Sequence, residues 1–115
     1  PSARAAGFRC AVTYRIRFHP LVADDLDWIA AWISDYAGAS RAAAKIDEIE
    51  QVIRGLALTP HKGSRRDEIA PGLRAFPAGR KGIVVFVVED DLREVLIYAV
   101  SYGGADWVRR SRARS

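Results

Sequence analysis

The 115-residue sequence predicts an α+β fold, a two-helix hairpin packed on an antiparallel β-sheet in the order β-α-α-β-β-β. Three observations lead there. Residues 12–18 alternate apolar and polar side chains with period two. Residues 21–57 hold two successive apolar stripes at spacings of three and four. Residues 73–102 hold three apolar runs separated by short turns. Half of the residues are apolar, enough for one core, and the chain is too short for two.

In the first strand Val12, Tyr14, Ile16 and Phe18 alternate with Thr13, Arg15 and Arg17, and Pro20 ends it. The first helix spans 21–37, with Val22, Leu26, Ile29, Ile33 and Tyr36 or Ala37 on its core stripe. Asp24, Asp25 and Asp27 fall in its early turns, where the helix dipole favours acids. Gly38 supplies a left-handed stop. Leu21, Trp28 and Trp32 form a second stripe that a surface helix does not need, so another element or a partner covers it. Ser40 is suited to cap a second helix, whose stripe is Ile46, Ile49, Ile53, Leu56 and Ala57 and which Pro60 closes. A link of about three residues folds the pair back as a hairpin.

A polar, basic loop over 61–72 leads to strands at Leu73–Pro77, Gly82–Glu89 and Leu92–Tyr102, the last stopped by Gly103 and Gly104. Six consecutive apolar residues, Ile83 to Val88, mark a central strand. In the last strand Leu96, Tyr98, Val100 and Tyr102 are expected to face one way, and Val95, Ile97 and Ala99 the other. The organisation is a flexible N-terminal arm (1–11), a single domain (12–108) and a basic C-terminal tail (109–115). The sequence contains no methionine, which implies a missing or processed native start, and no secretory signal follows Arg4.

The formal charge of +4 lies wholly in that tail, through Arg109, Arg110, Arg112 and Arg114. It reads either as a disordered solubilising end or as a salt-sensitive attraction to DNA or an acidic partner. Residues 1–108 are neutral but segregated, with a balance of −5 over 24–50, +5 over 54–81 and −4 over 82–108.

One cysteine excludes an internal disulfide, and no apolar run approaches the ~20 residues of a membrane span. Two distant histidines, His19 and His61, argue against a metal site, and no cofactor is expected. The paired acids Asp24/Asp25 and Asp90/Asp91 read as helix-start and hairpin-turn chemistry. What remains is a basic constellation of Lys62, Arg65, Arg66, Arg74, Arg80 and Lys81, with Tyr102 at the end of the sheet. Guanidinium groups on a rigid sheet can grip phosphate, or Arg74 can pair with an acid of the hairpin.

The segment Tyr14 to Pro20, with Ala23-Asp24-Asp25-Leu26 and Ile29, resembles the opening of the RelE/ParE toxins of type II toxin–antitoxin modules. Ile46 to Ile53, Pro60 with Gly63, Gly72-Leu73-Arg74, the Ile83–Val88 strand and Val95–Val100 running into Tyr102 follow in the family's order. The resemblance covers about residues 14–106 and implies the RelE-like fold. RelE-like members cut mRNA on the ribosome without metal; ParE-like members poison DNA gyrase. The nuclease chemistry needs a base, a cation and an acid at one phosphate. Under that reading the resemblance points to Arg74, Arg80, Lys81 and Tyr102 as catalytic. The last strand ends without His, Arg or Lys, and no long C-terminal helix is expected, so the resemblance is more ParE-like.

It therefore implies a cytoplasmic bacterial toxin, a gyrase-binding protein rather than an enzyme, with the ribosome-dependent mRNA interferase or an inactive antitoxin-binding homologue as alternatives. The implied partners are a cognate small antitoxin, forming a hetero-oligomer, and DNA gyrase (alternatively the ribosome and mRNA), with no membrane. Trp28, Trp32, Lys62, Arg65, Arg66, Arg74 and Arg80 are the expected binding residues, receiving an amphipathic, acidic antitoxin segment.

Overall fold

A computed structural model describes residues 13–104 and 107–114, and the expected arm at 1–11 lies outside them. The elements are β1 (Arg15–Phe18), α1 (Val22–Ala37), α2 (Ala39–Gly55), β2 (Ser64–Arg65), β3 (Leu73–Pro77), β4 (Gly82–Glu89), β5 (Glu94–Tyr102) and α3 (Trp107–Arg114). The α+β class and the hairpin-on-sheet arrangement are as the periodicities predict.

The sheet order is β1-β5-β4-β3-β2. β3, β4 and β5 form the expected antiparallel meander. β1, however, runs parallel to β5, from Arg15 opposite Glu94 to Phe18 opposite Ile97, so the sheet is mixed rather than antiparallel. Alternation fixes which side of a strand is buried but not the direction of a neighbour reached through a long crossover. A further edge strand, β2, pairs Ser64 with Ala75 and Arg65 with Arg74 inside the segment expected to be loop.

α1 and α2 pack one face of the sheet. Val22, Ile29, Ile33, Ile49, Ile53 and Leu56 meet Val84, Phe86, Val95, Ile97 and Val100 in the main core. Fully burying an aliphatic side chain of this size stabilises by roughly 1.5–3 kcal/mol. A single residue, Gly38, joins the helices; its φ of 93° is a conformation that a side chain resists. That turn is tighter than the three-residue link expected. α2 consequently starts at Ala39, before Ser40, and has no side-chain cap. It ends at Gly55, with Leu56 in the following turn, ahead of Pro60.

The opposite face carries a smaller core of Ile69, Ala70, Leu73, Val85 and Ala99, against which Trp107 and Val108 pack. The arginine-rich segment is therefore not a disordered tail. Trp107–Arg114 is a helix, and it lies against β5.

The expected alternation along β5 fails at one point. Val85 pairs with Ala99 and Phe86 with Ile97, so Tyr98 is skipped as a β-bulge. The extra residue shifts the parity: Val95 and Ile97 before it, and Val100 and Tyr102 after it, all join the hairpin-side core.

Candidate functional site

The second stripe of α1 remains at the surface. Trp28 and Trp32 are 51% and 40% exposed, and Tyr36 is 58% exposed. Four residues apart on a helix, they fall on one face and form a ladder. Trp28 stacks on Trp32 with ring centroids 5.6 Å apart, and Trp32 meets Tyr36 edge-on at 5.3 Å. Tyr102 anchors the ladder from beneath: its ring lies 5.6 Å from Trp32, and its hydroxyl shares a 3.2 Å hydrogen bond with that of Tyr36. That bond pushes the Tyr36 hydroxyl above the usual tyrosine range, with Lys81 and Lys45 pulling weakly the other way. Gly103, with φ of 71°, leaves room for the edge of the six-membered ring of Trp32; a Cβ there would come within 2.7 Å of the indole. Past Tyr36 an open groove of about 720 Å³ continues between α1, α2 and Tyr102, with Arg41, Ala44, Lys45 and Val52 among its walls.

The basic constellation does not converge. Arg74 is opposite Phe86 on β4, whereas Tyr102 is opposite Gly82. Four residues of strand separate the two positions, about 13 Å at ~3.3 Å per residue. Arg80 and Lys81 belong to the Tyr102 end, where the Gly103 amide bonds the Lys81 carbonyl and the Lys45 ammonium bonds the Arg80 carbonyl. Tyr102 itself is buried, with Lys45 5.4 Å from its ring centre. Lys62 lies over the Phe76 ring at 5.3 Å. Arg65 pairs with Asp67 and Arg66 with Glu68, and the Arg66 guanidinium covers the Trp107 ring at 5.1 Å. The guanidinium of Arg74 donates to the carbonyls of His61 and Lys62 rather than to an acid of the hairpin.

A ParE toxin model, the toxin of the type II toxin–antitoxin system parDE, matches residues 16–107. The chain belongs to the ParE toxin family. Among solved structures, the chromosomal ParDE toxin–antitoxin system from P. aeruginosa is similar with a TM-score of 0.67 and 21% identity, covering 78% of this chain and 96% of that one. A double arginine-to-alanine mutant of E. coli toxin RelE in the free state is similar at 0.60 and 11%, covering 88% and 95%. The toxin–antitoxin complex RelBE2 from Mycobacterium tuberculosis follows at 0.56 and 22%, covering 80% and 100%. These likenesses show the shared fold. No curated protein matches. No helix among the described residues of this ParE-family toxin is long and apolar enough to cross a membrane.

Two clusters in this ParE-family chain escape sequence reasoning. The first is Asp25, which is not simple helix-start chemistry. It is 4% exposed, accepts the Val100 amide at 3.0 Å, and binds Arg110 at 2.8 Å and Arg114 at 2.7 Å. The bulge and the short reach of β1 leave the β5 edge unpaired here, and Arg114 also bonds the Tyr98 carbonyl while Arg110 bonds Ser101. Asp25 raises the Arg114 guanidinium further above its already high ordinary value. The spacing of one acid to two arginines a helical turn apart was the available signal, but nothing local joined residue 25 to residues 110 and 114. The second is Asp90, more than a turn residue, which accepts from Tyr14 at 2.7 Å and bonds His61 Nε2 at 2.8 Å. The Tyr14 hydroxyl first, then His61, holds its carboxyl below the usual range, and Arg74 adds to this.

Proposed function

We propose that this chain is a bacterial, cytoplasmic toxin that inhibits DNA gyrase and is neutralised by a cognate antitoxin encoded with it. One observation carries the gyrase reading over the nuclease one: the residues that would have to converge on a single scissile phosphate are apart and engaged. Arg74 is bonded to backbone carbonyls, and Tyr102 lies in the hairpin core with its hydroxyl held by Tyr36. Metal-free phosphodiester cleavage requires base, acid and cation around one phosphate. A binding toxin needs only exposed anchors, which the Trp28–Trp32–Tyr36 ladder offers. The neutralising partner is supported by the family and by the toxin–antitoxin systems among its structural neighbours.

The test is a gyrase supercoiling assay with purified toxin. Loss of supercoiling and accumulation of trapped cleavage complexes, both reversed by the antitoxin, are the expected results. Undiminished supercoiling at micromolar toxin defeats the proposal.

The mRNA interferase reading keeps one specific observation, the joint presence of His61, Asp90, Tyr14 and Arg74 at the opposite end of the sheet. Translating ribosomes with added toxin then yield codon-positioned cuts that Arg74→Ala abolishes. Absence of cuts removes this alternative, and unchanged bacterial growth on induction marks an inactive, antitoxin-binding homologue.

A further inference from the structure

The cations of the chain divide by whether a partner holds them. Arg15 and Arg17 pair with Glu94, Arg65 with Asp67, Arg66 with Glu68, and Arg110 and Arg114 with Asp25. Arg74 bonds backbone carbonyls. Arg41, Arg80 and Lys81 are exposed, and among the described residues no acid or carbonyl takes their charged groups. All three belong to one end of the molecule. Arg41 lines the groove beside Tyr36, Lys45 and Tyr102. Arg80 and Lys81 form the turn between β3 and β4, and Lys81 acts on the Tyr36 hydroxyl.

The backbone of that turn is fixed while its side chains are free. The Lys45 ammonium bonds the Arg80 carbonyl, the Gly103 amide bonds the Lys81 carbonyl, and the Ala78 amide bonds the Gly82 carbonyl. Lys81 is held at φ 68°, a conformation that glycine adopts without strain and that costs another residue about 1–3 kcal/mol. Glycine stands on either side of the Arg80-Lys81 pair, at 79 and 82, but not at the strained position. No bond of the Lys81 ammonium within the described residues offsets the strain, so the reason for a lysine there lies outside the chain. The nearby acids do not cancel the cluster. Glu48 lies against Gly79 but is paired with Lys45 at 2.6 Å, and Asp47 takes the Gln51 amide. Asp35 projects about 100° round α1 from Tyr36.

We propose that Arg41, Arg80 and Lys81 grip the phosphate backbone of double-stranded DNA and so dock the toxin on the DNA that gyrase holds. Lys and Arg carry the contacts to phosphate oxygens, joined by hydroxyls such as that of Tyr36. Lys is depleted from protein–protein interfaces, which favours nucleic acid over an acidic protein as the occupant of this end. Such contacts hold any DNA sequence alike, so gyrase and not the toxin chooses the site. The source of the DNA rests on the gyrase reading above, to which this adds a contact with the nucleic acid itself.

The test measures the anisotropy of a short labelled DNA duplex against the full-length toxin over a range of salt. Each phosphate contact contributes about 0.9 to the slope of log affinity against log salt. Arg80→Gln/Lys81→Gln is expected to reduce that slope by about two, and adding Arg41→Gln by about one more. Arg54→Gln/Arg93→Gln removes the same charge from exposed residues elsewhere, Arg93 at the far end of β4 and also at positive φ, and leaves the slope unchanged. Lys81→Gly relieves the strain, so it melts no lower than wild type yet loses about one contact's slope. Four results each overturn the proposal: no binding of the duplex by wild type, equal slopes for wild type and Arg80→Gln/Lys81→Gln, an equal loss in Arg54→Gln/Arg93→Gln, or a lower melting temperature for Lys81→Gly. Equal slopes with loss of binding to the small protein encoded beside the toxin identify an acidic protein as the occupant instead.

A supercoiling assay with the same proteins separates the two levels. If wild type and Arg80→Gln/Lys81→Gln trap cleavage complexes equally, the docking is wrong and the gyrase reading stands. If wild type traps none while the slopes differ as expected, the gyrase reading fails and the DNA contact stands without it.

Discussion

Asp25 shows how much one buried carboxylate can organise. It is the meeting point of α1, β5 and α3, with a backbone amide and two guanidinium groups on its two oxygens. Removing one partner of a buried, hydrogen-bonded ion cluster leaves the others uncompensated, which costs roughly 3–5 kcal/mol. Asp25→Asn is therefore expected to lower the free energy of unfolding, obtained from the urea midpoint and slope, by an amount in that range. Arg110→Ala costs less, about 1–3 kcal/mol, because Arg114 and the Val100 amide still satisfy the acid. Equal costs for the two variants, read from equilibrium unfolding, contradict this ordering. No sequence pattern distinguished Asp25 from Asp24 beside it, since both suit the first turn of a helix. The distinction is one of rotation: Asp25 faces the β5 edge and Asp24 faces water.

At the scale of elements, the hairpin and the meander were legible because their apolar spacing is strict. Ile29, Ile33, Ile49 and Ile53 are buried as their spacings require, and the Ile83–Val88 run is the central β4. Three features were not legible. The direction of β1 depends on pairing with Glu94–Ile97, about eighty residues away. The bulge at Tyr98 depends on the register of two strands rather than on the composition of one. α3 has four arginines in eight residues and no apolar stripe beyond Trp107 and Val108, so its stability comes from docking, not from amphipathicity. The ladder was half legible: the tryptophans were evident, but not the seating of Trp32 on Gly103 and Tyr102.

The β2–β3 connection supplies a pH test at this scale. Asp67 accepts the Gly72 amide at 2.8 Å and pairs with Arg65, and these bonds, the amide first, lower its pKa from 3.8. A lowered folded value means that the native state binds fewer protons. The contribution is then fully present above the unfolded value and is lost as pH falls through the folded one. Melting temperatures of wild type and Asp67→Asn should differ at neutral pH and converge in acid below about pH 3.8. A gap that stays constant through that range rules out the assignment.

For the molecule as a whole, the segregated charge blocks turn out to join distant parts of the chain. Arg15 and Arg17 from the basic start pair with Glu94 in the last acidic block. His61 from the basic middle meets Asp90, and Arg110 and Arg114 from the basic end meet Asp25 in the acidic hairpin. Within the middle block, Arg65–Asp67 and Arg66–Glu68 stay local and exposed. Double-mutant cycles at low and high salt should tell these classes apart. The Asp25–Arg110 coupling persists at about 1 M salt, whereas the Arg65–Asp67 coupling, small at the outset, vanishes because exposed pairs are screened. Parallel decay of both couplings would show that the buried cluster is open to solvent.

The Asp25 cluster also has a consequence in time. A polypeptide is made from its N-terminus, and here the acid precedes its two arginines by 85 and 89 positions. At 5–20 residues per second, roughly 4–18 s pass between synthesis of the carboxylate and of the groups that neutralise it. Throughout that interval the nascent chain carries an unmatched acid at the place where its sheet edge is to close. Closure of this sheet edge therefore waits for synthesis of Arg110 and Arg114.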